Sequence, residues 1–374
     1  MKVLILSPSL AVHGGIQRYT RILSRALQDL YGRDHVTLWA IPQTRKSPSG
    51  HTRVTLSERI RFVLGAWTRA WNHRPDWILC THVSLAPVAQ GLSSTFSVAY
   101  GVVAHGVEVW GTLPHWKRRA LRRAHRIIAV SRWTAQLIRE RQGIPKQRIS
   151  ILPNPLDPRL LETPPDRAWL RTLGLEDRPF LLTVGRLSIE ERYKGQDVVI
   201  QAMQKLRHSF PDLRYLIIGD GEDRDRLMRL VQTLGVQDRV LFVGTVKDPQ
   251  LVAAYQACQA FVMPAQTIVD PKAPKGEGFG LVYLEAMAFG KPVIGPNVGA
   301  PVEVIHHGEH GLLVDPTEPS AVAEAIRQMM QAPERAKRMG QQARQWVLRE
   351  FSFARFRERW QCLLENPMAT GGDS

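Results

Sequence analysis

Short apolar runs alternate with amphipathic stretches along almost the whole chain. Residues 2–7 form a β-rich apolar run that stops at Ser7-Pro8, and after a glycine-containing loop the period changes to that of an amphipathic helix over 17–30. The design repeats at Phe180-Leu181-Leu182-Thr183-Val184, followed by Gly185-Arg186-Leu187 and a helix over 195–210. Each half therefore begins a parallel sheet of its own. Further apolar runs at 77–80, 126–130, 215–218, 260–263 and 292–294 are separated by helical segments, the α/β alternation of doubly wound sheets. Pro153, Pro155, Pro158, Pro164, Pro165 and Pro179 interrupt helices and central strands alike, which puts the linker between the halves. The predicted domains are 1–165 and 176–350, with a closing amphipathic helix over 351–365 and a frayed tail over 366–374.

Size and composition fit this division. At 374 residues the chain exceeds the length at which one core usually keeps growing. The opening apolar run is too short for a signal peptide or a membrane span, and no long uncharged apolar stretch follows. Cys80, Cys258 and Cys362 stand singly, without the spacing of a zinc site or a disulfide framework, so a reducing cytoplasm is expected.

Charge changes the picture once it is divided by position. Residues 1–168 carry 25 Lys+Arg against 9 Asp+Glu, and the remainder 25 against 25, so the whole net charge of +16 lies in the N-terminal half. That asymmetry points to an anionic partner: a membrane face, a lipid phosphate or nucleic acid. Thr55-Leu56-Ser57-Glu58 matches a capping box, and the helix it opens puts Ile60, Val63, Leu64, Trp67 and Trp71 on one face, with Arg59, Arg61 and Arg69 elsewhere. Such a face suits packing on a sheet or lying in a membrane interface. The run Trp116-Lys117-Arg118-Arg119-Ala120-Leu121-Arg122-Arg123 adds basic surface in the same half.

Ligands of doubly wound sheets bind outside the carboxyl ends of the strands, which singles out four loops. His13-Gly14-Gly15-Ile16-Gln17-Arg18 lets bare backbone approach a ligand and offers N–H groups at a helix N-terminus, although paired glycines also make tight turns. The loop lacks the three-glycine dinucleotide fingerprint. In Val103-Ala104-His105-Gly106-Val107-Glu108 an apolar strand ends in a His, a position that structural and catalytic histidines share. Gly185-Arg186 and Lys194-Gly195 bracket the third loop; Arg186 and Lys194 could hold the growing charge of a departing diphosphate without a metal, whereas 190–192 read as a solvated charged stretch. The fourth loop is Glu277-Gly278-Phe279-Gly280-Leu281-Val282-Tyr283-Leu284-Glu285. Its carboxylates can accept from sugar and ribose hydroxyls, and the N–H groups of Phe279, Gly280 and Leu281 open a helix over 281–289 that Gly290 ends.

Together, Glu277-x7-Glu285, Gly185-Arg186…Lys194-Gly195, Gly14-Gly15, His105-Gly106, Pro153-Asn154 and Phe242-x-Gly244 resemble glycosyltransferase family 4, in that family's order and through almost the whole chain. The run at Met263-Pro264, the insertion through Asp270 and then Glu277 is most similar to the branch containing phosphatidylinositol mannosyltransferases. The resemblance implies the α/β GT-B fold: two Rossmann-like, doubly wound parallel-sheet domains facing a cleft, and a last helix that returns to the first domain. It implies Arg186 and Lys194 on the donor diphosphate, Glu277 on the transferred sugar, Glu285 on the ribose, and His105 near the reacting carbon. Gly15 is implied against phosphates or acceptor, and the loop from Gly244 to Val246 near the base.

The activity so implied is retaining hexosyl transfer, mannosyl first, from a GDP- or UDP-linked sugar to a hydroxyl on a lipid or a polysaccharide. The proton passes to the departing phosphate, and no cofactor takes part. Asp223-Arg224-Asp225 imitates a metal-binding Asp-x-Asp, but it opens a helix, where acids suit the dipole, so no catalytic metal is expected. Residues 187–194 and 265–275 depart from the family in length; Lys272 and Lys275 could touch the diphosphate or belong to a mobile surface loop. The expected partners are the nucleotide sugar, a lipid or oligosaccharide acceptor, and an anionic membrane at the inner cytoplasmic face, with no specific nucleic acid. Two alternatives compete: a GT-B nucleotide-sugar epimerase, and a basic nucleic-acid-binding protein, which leaves Arg186, Lys194, Glu277 and Glu285 without a task.

Overall fold

Residues 1–10, 14–42 and 54–365 are described by a computed structural model of the chain; His13 of the first loop and the tail over 366–374 lie outside the described residues. The chain divides into two units, Met1–Pro155 together with the segment from Phe353 onward, and Leu156–Ser352. The second unit thus begins within the proline-rich stretch rather than after it, and the boundary expected at 165 moves to 155. The reason is local packing: the short helix Pro158–Glu162 lies on the helix Asp248–Ala257, and Asp166 N–H bonds to the Pro249 carbonyl at 2.9 Å.

In the first unit six parallel strands, β1 Val3–Ser7, β2 Val36–Ala40, β3 Trp77–Cys80, β4 Ala99–Ala104, β5 Arg126–Ala129 and β6 Ile149–Ile151, pair in the order β2-β1-β3-β4-β5-β6. All five residues of β1 are buried, as a strand covered on both faces requires, which is why these runs are continuously apolar rather than alternating. The helix Phe353–Glu365 completes this unit against the helix Gly15–Tyr31: Phe356 meets Tyr19 edge-on at 5.6 Å, and the Arg25 guanidinium lies 5.3 Å from the Phe353 ring centre.

The second unit repeats the plan with β7 Phe180–Val184, β8 Arg214–Ile218, β9 Val240–Phe242, β10 Ala260–Val262, β11 Val293–Pro296 and β12 Gly311–Val314, ordered β12-β11-β10-β7-β8-β9. Its core sets Leu181, Tyr215, Ile217, Val262 and Ile294 against helical residues such as Val199, Met203, Val322 and Ile326. In each sheet the order reverses once, between β1 and β3 and between β7 and β10. Those switch points are where loops diverge and leave room for a ligand.

Candidate functional site

The loops after β7, β8 and β9 are tied to one another at the carboxyl edge of the second sheet. Gly185 N–H bonds to the Ile218 carbonyl and Leu187 N–H to that of Asp220, both at 2.9 Å, while Gly219 N–H reaches Gly244 at 2.8 Å. A side chain at Gly219 would meet the Gly185 carbonyl at 1.9 Å, so the contact requires glycine. The loop after β10 joins them: Gln266 N–H bonds to the Tyr193 carbonyl at 2.6 Å. Residues Ile268 and Lys275 exchange backbone bonds of 2.7 and 2.9 Å, a single antiparallel bridge that closes the 265–275 insertion into a loop with an exposed tip over 270–273.

Between β7 and β10 these loops gather Arg186, Glu191, Tyr193, Lys194 and Glu277. Glu191 receives Lys194 Nζ at 2.8 Å on one oxygen and the Arg186 guanidinium on the other. Lys194 and Glu191 are each 12% exposed, and Arg186 is 73% exposed. The solvated reading of 190–192 therefore fails for Glu191, which sits between both predicted diphosphate ligands; Arg192 stays exposed and bonds to Asp223 at 2.6 Å. Tyr193 Oη donates to Glu277 Oε1 at 3.3 Å. Burial raises the Glu277 pKa above its ordinary value; Lys194 opposes the rise and Glu191 adds to it. Tyr193 is pushed far above the usual phenol range by burial and by the Glu277 charge, and stays a hydrogen-bond donor.

Behind this group the helix Leu281–Ala288 opens at Gly280, whose φ of +90° and closeness to the Tyr283 ring exclude a side chain. First-turn N–H groups of a helix have no intrahelical acceptor and face outward with the positive end of its dipole. Gly280 and Leu281 stand at that terminus, whereas Phe279 is buried edge-on against Phe351 at 5.8 Å. Glu285 is 5% exposed and accepts from Tyr255 Oη at 2.9 Å, a partner without any signal in the sequence. Gly244, at φ +70°, and half-buried Val246 lie in the loop after β9.

Asp223, the first residue of the Asp-x-Asp imitation, is 3% exposed and already occupied. Arg192 Nε donates to it at 2.7 Å and Arg226 Nη2 at 2.7 Å. Burial acts to raise its pKa, but the hydrogen bonds from Arg226 and Arg192 outweigh burial and hold the carboxyl below its ordinary value. Asp223→Asn is expected to lower unfolding free energy by about 2–3 kcal/mol in urea titrations, since it strips a buried, charge-assisted pairing. That contribution is complete above the ordinary carboxyl value of 3.8 and is lost only as pH falls through the lower folded value, so variant and parent differ at pH 7 and converge in strong acid.

In the first unit His105 follows β4. Its Nε2 donates to the Thr81 carbonyl at 2.9 Å, which leaves Nδ1 as the acceptor of the neutral ring. Glu108 Oε1 accepts from the His105 backbone N–H at 2.5 Å, and Tyr19 packs edge-on at 4.9 Å. Burial lowers the His105 pKa, with Glu108 opposing and His82 assisting. His82, just after β3, is a neighbour that no motif announced; its Nδ1 accepts from Ser84 N–H at 3.2 Å. Gly14 caps the helix Gly15–Tyr31 in an extended conformation without a side-chain bond among the described residues, and Gly15 is exposed.

Residues 13–160 match Glycosyltransferase Family 4, and residues 167–346 match Glycosyl transferases group 1. The GDP-mannose-dependent alpha-(1-6)-phosphatidylinositol monomannoside mannosyltransferase of Mycolicibacterium smegmatis is 35% identical over 271 residues, 71% of this chain and 68% of that relative. The chain belongs to glycosyltransferase family 4. Solved structures carry the fold of this glycosyltransferase along nearly its full length. HepE of Anabaena in complex with UDP has a TM-score of 0.78 at 20% identity, covering 98% of this chain and 100% of its own. Sucrose-phosphate synthase of Thermosynechococcus elongatus has a TM-score of 0.79 at 23% identity, covering 98% and 99%. The fold is GT-B, and the matches favour neither the epimerase nor the nucleic-acid-binding alternative. Among the described residues of the glycosyltransferase no helix is long and apolar enough to cross a membrane.

Proposed function

We propose that this glycosyltransferase moves a hexosyl group from a nucleotide sugar to an acceptor hydroxyl, with retained anomeric configuration and without a catalytic metal or a cofactor. One observation carries the reading: Arg186, Lys194 and Glu277 converge at the β7–β10 switch point, in the loops that lead to a helix N-terminus without a side-chain cap. Fixed cations offset the charge that grows on a departing diphosphate, the work a metal does elsewhere. Arg186, Lys194 and the amides at Gly280 and Leu281 would hold the diphosphate, Glu277 the sugar hydroxyls, Glu285 the ribose, and the Gly244 to Val246 loop the base. His105 would offer Nδ1 to a hydroxyl near the reacting carbon, and Gly15 its backbone to phosphate or acceptor. The mycobacterial relative is named for GDP-mannose and the Anabaena protein was solved with UDP, so both bases belong in the test. Thermal shift against a panel of nucleotide sugars identifies the donor, since a ligand bound only by the folded state raises its stability. Anomeric analysis of the product and turnover in EDTA then test the rest; an inverted product, or activity abolished by chelation, would overturn those parts.

Glu191 supplies the first prediction. An internal carboxylate on both diphosphate cations competes with the donor for them. Glu191→Gln removes the competing charge and should tighten nucleoside diphosphate binding by about tenfold, roughly 1.4 kcal/mol, in isothermal titration. Unchanged or weaker binding would show that Glu191 merely orients the two cations.

The acceptor is proposed to be lipid-linked and met at an anionic membrane. On the helix Leu56–His73 the buried positions are Glu58, Phe62, Ala66 and Ala70, while Leu56, Ile60, Leu64 and Trp71 are 73%, 51%, 64% and 71% exposed. The expected apolar face is thus split: Val63 and Trp67 are half-buried, and the ridge at 60, 64 and 71 is left to solvent. Trp116, 54% exposed, opens the basic helix His115–Arg123 in the same unit. An apolar ridge in a basic unit suits the boundary of an anionic bilayer. Leu64→Ser with Trp71→Ser should abolish sedimentation with phosphatidylglycerol vesicles at low salt and leave transfer to a soluble acceptor intact. Equal binding of the parent chain to neutral vesicles would sink the electrostatic part.

A further inference from the structure

We propose that His306, Glu309 and His310, in the turn before β12, form a site for one divalent transition-metal ion of the zinc class. The turn is built to bring them together. Gly308, at φ +82°, reverses the chain and bonds through its N–H to the Gly311 carbonyl at 2.8 Å; Glu309 and His310 N–H groups both reach the His306 carbonyl, at 3.2 and 3.0 Å. The His306 and His310 rings consequently stack at 4.6 Å with 25° between their planes, and Glu309 Oε2 lies 3.6 Å from His306 Nδ1. One donor atom from each of the three residues falls within 4.8 Å of the others. An ion about 2.0–2.2 Å from each ligand bridges donors separated by up to roughly 4 Å, so small side-chain rotations complete the set.

A second observation is independent of this clustering. His310 is 6% exposed, and its Nδ1 has no hydrogen-bond partner among the described residues. Buried polar atoms are costly unless satisfied, and coordination satisfies this one. Trp346 lies 4.8 Å from the His306 ring and 5.4 Å from that of His310 and walls the cluster on one side. His307 stands apart, because its Nδ1 accepts from Leu313 N–H at 3.0 Å. Two imidazoles and one carboxylate select zinc, nickel or copper over magnesium or calcium, and three protein ligands leave the remaining position to water. The ion pins the turn to β12 and so contributes to the stability of the second unit.

The test uses the full, untagged chain, stripped with chelator and titrated with zinc chloride by calorimetry and by thermal melting. One equivalent is expected to bind with micromolar or tighter affinity and to raise Tm by several degrees. His306 and Glu309 are 42% and 68% exposed, so His306→Ala and Glu309→Ala leave the fold secure, and each should weaken zinc binding at least tenfold and cancel the Tm rise. Zinc binding that is non-stoichiometric in the parent, or equally tight in both variants, overturns the assignment.

Discussion

Lys194→Ala is expected to lower kcat for transfer by about a thousandfold, the upper end of the loss seen when one fixed stabiliser of a developing anion is removed. The ammonium is 12% exposed and held by Glu191 at 2.8 Å, so it is positioned before any donor arrives and needs little reorganisation when charge appears. Its stem lies 3.2 Å from where a Gly185 side chain would begin, which fixes its direction as well. The loop keeps its shape without this side chain, because Gly195, at φ +75°, turns the chain into the helix Gln196–Leu206 through backbone conformation. The variant is therefore expected to melt close to the parent and to lose mainly kcat. Lys194→Arg should recover little, since a guanidinium is a planar fork rather than a compact charge. Near-parent turnover in Lys194→Ala, measured with saturating donor, would remove Lys194 from the site.

The inner strands were readable in the sequence for a physical reason, whereas the edge strands β2, β6, β9 and β12 were not among the predicted runs. Buried parallel strands such as Trp77–Cys80 and Ala260–Val262 are uninterrupted apolar runs because both faces of the sheet are covered. The candidate loops followed from the strands, because a loop after a parallel strand lies at the edge where such sheets bind ligands, whatever its composition. Charged side chains inside those loops were harder. Glu191 and Arg192 look like solvent-facing residues by composition, and only the folded loop turns one toward Arg186 and Lys194 and the other toward Asp223. Tyr255 as the partner of Glu285 arises from two helices 30 residues apart, a pairing without local pattern. The helix Leu56–His73 shows a different limit. Periodicity grouped Ile60, Leu64 and Trp71 correctly on one side, but which side faces inward is decided by Phe62, Ala66 and Ala70, and the larger residues stay outside.

Glu277→Ala is expected to cost transfer about a thousandfold as well, and its pH behaviour separates a sugar-binding carboxylate from a structural one. Glu277 must be ionised to accept from two hydroxyls, and burial raises its pKa above the ordinary 4.5. The acid limb of kcat/KM in the parent therefore lies above that value, and burial lowers the His105 pKa from its ordinary 6.5. Neighbouring charges should move the limb in opposite directions. Lys194 lowers the Glu277 pKa, so Lys194→Ala shifts the limb of its residual activity upward; Glu191 raises it, so Glu191→Gln shifts the limb downward. Glu277→Gln keeps the shape and the contact with Tyr193 but cannot ionise, and its slow turnover should lack the Glu277 step in the profile. The three variants thus make a set in which size of rate loss and direction of pH shift are independent readouts. An acid limb that stays in place across Lys194→Ala, Glu191→Gln and Glu277→Gln would mean that Glu277 does not set the acid limb of the free enzyme, and the sugar-binding role would pass to another acceptor.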